Sequence, residues 1–181
     1  PTHTYDTYQY FIGSGLRNTV TKALPASNNT DEQIEICFER MVKGYSEACT
    51  LKTKPYEGII ELLDNLVSRN IRIAIFSNKA DELTKKIAAE IFPKHFDMAI
   101  GLSTEALKKP NPFKALEISE KWNLKPEEVI FVGDSDIDMQ TAVNAKMFPV
   151  GVTWGYRTEE ELKNSGAKRV VNTASELMEI L

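Results

Sequence analysis

Val129-Ile130-Phe131-Val132-Gly133-Asp134-Ser135-Asp136-Ile137-Asp138 is the stretch on which the reading of this chain turns. Four consecutive apolar residues, three of them β-branched, have the length and composition of a strand buried on both faces, as in parallel sheets. Three carboxylates then crowd into five residues, which is costly by mutual repulsion unless a cation or extensive hydrogen bonding offsets it. An apolar strand running straight into such a cluster places it beyond the carboxyl end of the strand, where open α/β sheets hold their ligands.

Outward from that stretch, short apolar strands alternate with amphipathic helices. Ile59, Leu62, Leu63, Leu66 and Val67 make one helix face, followed by a strand Ile71-Arg72-Ile73-Ala74-Ile75-Phe76 that stops at a polar turn, Ser77-Asn78-Lys79. Leu83, Ile87 and Ile91 predict the next helix, Phe96 to Ile100 a short strand, and Pro112 opens another helix. Ile137, Ala142 and Ala145 lie on the helix after the acidic cluster. Phe148 to Val152 and Arg169 to Val171 complete the strands, and Thr158 with Glu161 and Thr173 with Glu176 have capping-box spacing. The alternation predicts an α/β fold, a doubly wound parallel sheet in a three-layer, Rossmann-like core.

Upstream the period changes. Ile34, Cys37, Phe38, Met41, Val42, Tyr45, Ala48 and Cys49 share one helix face, Leu16, Val20 and Leu24 a second, and Tyr5, Tyr8 and Phe11 a third that ends at Gly13-Ser14-Gly15. Residues 1–53 are therefore expected to form a small helical unit and residues 54–181 the α/β core, joined through Lys52 to Gly58. A chain of 181 residues accommodates one such core and one appendage.

The formal net charge of −4 and the lack of a long like-charged block favour neither a nucleic-acid nor a membrane partner, and no apolar run approaches the roughly 20 residues of a membrane span. The start lacks the pattern of a signal peptide, so a cytoplasmic protein is expected, with Cys37 and Cys49 as reduced, buried thiols. Oligomeric state is not legible. Pro1-Thr2-His3 reads as the middle of a longer chain.

Three polar clusters fall at strand ends. Ser77-Asn78-Lys79 offers a hydroxyl, an amide and an ammonium; taken alone it is equally a turn that caps the next helix. Lys109, before Pro110, is equally a solvated loop lysine, and Arg17, after the glycine turn, a solvated surface arginine or an anion-binding group. The acidic cluster is the sharpest of the three, with Asp134 and Asp138 as candidate metal ligands.

Together and in this order the clusters resemble the later motifs of the haloacid dehalogenase superfamily, its phosphoglycolate phosphatase-like branch in particular. The resemblance implies that Ser77 hydrogen-bonds a transferring phosphoryl group, that Lys109 screens negative charge, and that Gly133-Asp134-Ser135-x-x-Asp138 carries the metal site. Asp134 would be a direct Mg²⁺ ligand, Asp138 a direct or water-mediated one, and Asp136 a variable position. It extends to Gly151-Val152-Thr153-Trp154-Gly155-Tyr156-Arg157 and to the helical unit, which is similar to the mobile cap of that branch. Ser77, Lys109 and Asp138 are then the candidate catalytic residues, with Asn78 and Arg17 as further substrate contacts.

The first motif of that superfamily, an apolar strand ending in Asp-x-Asp-Gly-Thr, occurs nowhere in the 181 residues. Asp134-x-Asp136 does not replace it, being followed by Ile137-Asp138 and lying after the lysine motif. The expectation is a nucleophilic aspartate upstream of Pro1, on a strand between the one ending at Ser77 and the one ending at Asp134. The implied activity is Mg²⁺-dependent hydrolysis of a small phosphate monoester such as 2-phosphoglycolate through an aspartyl-phosphate. The chain without that strand would be inactive and its sheet split. A phosphosugar mutase, a pyrophosphatase, a dehalogenase, or a nucleophile-less phosphate- or metal-binding module are the alternatives.

Overall fold

The computed structural model describes residues 3–181; Pro1 and Thr2, on which the reading of an interrupted start rests, lie outside it. Three helices come first: α1 (Tyr5–Gln9), α2 (Leu16–Ala23) and α3 (Asp31–Ala48). Thr4 and Thr30 cap α1 and α3 by accepting the N–H of Thr7 and Gln33, while Gly15, at φ +85°, opens α2 in a conformation that costs only a residue without Cβ little. Apolar periodicity sets these helices, yet Val20 is the sole fully buried residue among those described in them. Tyr5 and Ala48, placed on the inner stripes by spacing alone, are exposed, and Cys37 is only half-buried, whereas Cys49 is fully buried; both thiols are free.

The α/β part follows in the order α4 (Ile59–Ser68), β1 (Ala74–Ala80), α5 (Asp81–Ile91), β2 (Met98–Leu102), α6 (Phe113–Lys121), β3 (Ile130–Gly133), α7 (Asp136–Asn144), β4 (Phe148–Val152), α8 (Glu159–Asn164), β5 (Arg169–Val171) and α9 (Ala174–Ile180). Every strand pair is parallel, as the helical crossovers require. Side chains alternate across β4: Val150 and Val152 pack with Leu62, Leu66, Val171 and Leu177 under α4 and α9, while Gly151 faces Leu162 of α8 on the other side. Ala115, Ala142, Ala145 and Met147 form a second cluster against Phe76 and Phe131. The core thus has three layers.

Two boundaries differ from the sequence reading. β1 begins at Ala74 and runs through Ser77-Asn78-Lys79 to Ala80, with a register shift against β2 between Phe76 and Ala80. At Ile73 the carbonyl still accepts the Asp97 N–H at 2.8 Å, but the Ile73 N–H donates to the Asp97 carboxylate at 2.9 Å instead of to a strand carbonyl. β2 starts two residues later than expected, after the same Asp97. Thr158 and Glu161 close a full capping box; at α9 Thr173 caps Glu176, but the Glu176 carboxylate reaches Asn172 instead of Thr173.

The strands make two sheets, β1-β2 and β3-β4-β5, and no backbone hydrogen bond joins β1 to β3 among the described residues. They stand side by side through an edge-to-face contact of Phe76 and Phe131, centroids 6.4 Å apart. No residue of β3 is fully buried and Val132 is 39 % exposed, unlike β4, four of whose five residues are buried. Among the described residues no helix is long and apolar enough to cross a membrane.

Open parallel edges leave peptide groups unpaired and apolar residues wetted, a penalty large against the ~5–15 kcal/mol that holds a domain. The 181-residue chain on its own is expected to unfold over a broad range, with a van't Hoff enthalpy well below the calorimetric one; scanning calorimetry showing a sharp two-state transition of a monomer would overturn this.

Candidate active site

The carboxyl ends of β1 and β3 and the loop before α6 converge under the helical unit on a cavity of about 700 Å³. Its floor is polar, with Ser77, Lys109, Asp134 and Asp138; its roof is largely apolar and comes from α1 to α3.

Lys109 is the centre of the floor. Its Nζ donates to the Asp138 carboxylate at 2.6 Å and to the Phe76 carbonyl at 3.0 Å, so one ammonium ties the end of β1 to the first turn of α7. Both side chains are almost wholly buried, at 11 % and 9 % exposure. The second Asp138 oxygen accepts from the Ser135 hydroxyl at 2.6 Å and the Ser135 N–H at 3.2 Å, the reciprocal half of the capping box that starts α7. Burial pushes the Asp138 carboxyl up, but Lys109 and the Ser135 bonds more than offset it and hold the group below its ordinary value. Gly133 makes the approach possible, since a Cβ there would lie 2.2 Å from that of Asp138.

Asp134 is in the opposite state. Burial, and after it the charge of Asp138, push its carboxyl above the ordinary value, against the pull of the Tyr156 N–H and of Lys109. Its Oδ2 accepts from Tyr156 N–H at 2.9 Å, and the loop can come so near only because residue 155 is glycine: a Cβ would stand 2.1 Å from that oxygen. Asp136, third of the acidic cluster, turns away to Arg157 at 3.3 Å.

Of the residues singled out by sequence, Ser77, Asn78, Lys109, Asp134 and Asp138 all line the cavity. Ser77 presents an Oγ that accepts the Lys79 N–H at 3.1 Å. Asn78 is committed elsewhere: its amide donates to the carbonyls of Gly13 and Lys109 and accepts the Lys109 N–H, pinning the glycine turn and the lysine loop together. Arg17 does not line the cavity; it pairs with Glu35 of α3 and lies over the Phe38 ring at 4.7 Å. Glu35 lies 18 residues from Arg17 in sequence, a separation that hides the side-by-side packing of α2 and α3. Among the lining residues that the sequence did not single out as site residues are Lys79, Tyr45 and Tyr156. Tyr45 was legible only as part of an apolar stripe.

Residues 2–152 match the family model described as haloacid dehalogenase-like hydrolase. The chain is 34 % identical over 152 residues to the phosphoglycolate phosphatase of Aquifex aeolicus, covering 83 % of this chain and 69 % of that protein. It is 31 % identical over 156 residues to that of Agrobacterium fabrum, covering 84 % and 67 %. A crystal structure of a Lactobacillus delbrueckii subsp. bulgaricus protein ascribed to the phosphoglycolate phosphatases superposes with a TM-score of 0.90 at 29 % identity, covering 99 % of this chain and 83 % of that one. The chain belongs to the haloacid dehalogenase-like hydrolase family, in its phosphoglycolate phosphatase-like branch.

A raised carboxyl in the folded state means that the fold is penalised above that group's folded pKa and unpenalised below the unfolded value near 4. In the intact protein without divalent cations, Asp134→Asn is therefore expected to raise Tm at pH 7 by roughly 2–4 °C, the gain vanishing below about pH 3.5. A thermal-melt series across pH checks this; an unchanged or lower Tm at pH 7 would show that the Asp134 charge is already compensated.

Proposed function

We propose that this phosphoric monoester hydrolase is a Mg²⁺-dependent, cytoplasmic phosphatase of small phosphorylated metabolites, 2-phosphoglycolate foremost. It would act through an aspartyl-phosphate on a nucleophile that lies upstream of Pro1. The observation that carries this reading is the shared cavity in which Ser77 Oγ, Lys109 Nζ and the half-buried Asp134 carboxylate meet at the ends of parallel strands. The names of the Aquifex aeolicus and Agrobacterium fabrum relatives support the substrate.

Asp134 provides the test of whether the metal fits. Its carboxyl is half-buried, pushed up by desolvation and by Asp138, and a hard divalent cation is the partner that offsets such a charge. Asp136 is bound to Arg157, so the described residues offer two carboxylates rather than three. That suits Mg²⁺, which keeps several waters and takes one or two carboxylates together with substrate phosphate. Asp134 would hold it directly and Asp138, already engaged by Lys109 and Ser135, from the side. Bound there, Mg²⁺ supplies charge neutralisation at the phosphoryl oxygens.

The chain's own groups do the rest. Lys109 is fixed by Asp138 and the Phe76 carbonyl with its ammonium facing the cavity, so it meets a phosphoryl oxygen without reorganising. Ser77 Oγ donates its proton to a second oxygen. The Tyr156 N–H orients the Asp134 carboxylate. In this reading residues 1–53 are the cap and residues 54–181 the core, and the apolar roof excludes water from the reacting phosphoryl group.

In the intact protein Asp134→Ala is expected to lower kcat roughly a thousand-fold or more against a panel of phosphate monoesters assayed with Mg²⁺, and chelation to do the same to the unsubstituted protein. Undiminished turnover in the variant would remove the metal assignment, and no turnover of any ester by the unsubstituted protein would remove the phosphatase.

A further inference from the structure

Two cations reach the cavity in the α/β part, Lys79 and Lys109, and their surroundings differ. Lys109 is neutralised by Asp138. Lys79 forms no ion pair with a carboxylate among the described residues; its Nζ donates to the Tyr45 hydroxyl at 2.5 Å and lies 4.3 Å from the centre of that ring. Tyr45 is carried by α3, so the ammonium is held from the roof by a neutral, exchangeable partner. Arg17, the other cation with a claim on an anion, is taken by Glu35 and faces away.

Lys79 also stands two residues beyond Ser77 on β1, and both line the cavity. The register shifts between Phe76 and Ala80 and the Lys79 N–H reaches back to Ser77 Oγ at 3.1 Å, so the irregular end of β1 turns the hydroxyl and the lysine into one cavity. Resting on the functional reading above, we propose that Lys79, with Tyr45 as its resting partner, binds the anionic end of the substrate remote from the phosphoryl group. It is thereby the residue that selects carboxylate-tailed phosphate esters. An arriving carboxylate takes the ammonium from the phenol in a site shielded by the apolar roof, where a charge-assisted hydrogen bond is strong. The phenol O–H, released, is free to donate to the same anion. The pairing adds specificity by leaving an unmatched ammonium against a neutral tail.

The test uses the intact protein with Mg²⁺ and two ligands that it cannot hydrolyse, 3-phosphonopropionate and propylphosphonate, which differ in the carboxylate. Titration calorimetry is expected to show at least about 10-fold tighter binding of 3-phosphonopropionate by the unsubstituted protein. Lys79→Gln is expected to weaken that ligand about 10- to 100-fold and propylphosphonate less than about 3-fold, and Lys79→Arg to recover most of the loss. No preference in the unsubstituted protein, equal losses on both ligands, or failure of Lys79→Arg to recover binding would overturn the proposal. Turnover of phosphate esters is scored separately, so a protein that binds with this selectivity and hydrolyses nothing would sink the phosphatase and leave the Lys79 site standing.

Discussion

The ion pair between Lys109 and Asp138 is the contact on which the rest of the arrangement depends. It is nearly dry, and taking two charges out of water costs several kcal/mol per ion, recovered only with good geometry and full hydrogen bonding. Both conditions are met: Asp138 accepts from Lys109, from the Ser135 hydroxyl and from the Ser135 N–H, and Lys109 satisfies the Phe76 carbonyl with a second proton. Because β1 and β3 share no ladder, this ammonium bridges the two sheets at the site. Removing either partner would leave the other buried and unpaired, a change of about 3–5 kcal/mol in comparable pairs.

The helical unit is fastened differently. Its contacts with the α/β part are polar: Asn78 to the Gly13 carbonyl, Lys79 to Tyr45, Lys86 to the Ser46 carbonyl at 2.9 Å, and Arg157 to the Gln9 carbonyl and the Tyr10 ring. With Val20 alone fully buried among the described residues of α1 to α3, little apolar area is lost when the two parts separate. Polar tethers exchange readily with water, whereas apolar burial does not.

How much of this was legible in the sequence varied with the kind of signal. Where an apolar run was bounded by turn residues it was read to the residue: β4 at Phe148–Val152 and β5 at Arg169–Val171. β1 slipped because the signal for its start was composition, and Asp97, a side chain 24 residues away, overrides composition at Ile73. Lys109 and Asp138 were legible as residues, but no spacing announces that they pair across 29 positions. The Arg17 partners were hidden for the converse reason. Glycines before a lone arginine look like a flexible anion loop, and only the packing of α2 on α3 reveals Glu35 and Phe38 as its partners. Gly155 carried no periodic signal at all, since its role is to be absent where Asp134 stands.

The acidic cluster shows how a few bonds turn one motif into three different charges. Asp136, at the first position of α7, is drawn off by Arg157; Asp138, at the third, folds back on the Ser135 N–H and receives Lys109. Both also sit at the positive end of the helix, which favours carboxylates there. Asp134 precedes the helix and has only a backbone N–H for a donor. Two of three negative charges are thus answered by side chains of the fold, and the third is left in a half-buried place next to one of the other two. An ammonium in the same cavity, Lys79, is left equally without a counter-charge. A lone carboxylate and a lone ammonium that do not meet each other are the complement of a ligand pair, a cation at one end and an anionic tail at the other. The fold has spent its pairing capacity on holding Lys109 in place and kept these two groups open for what enters.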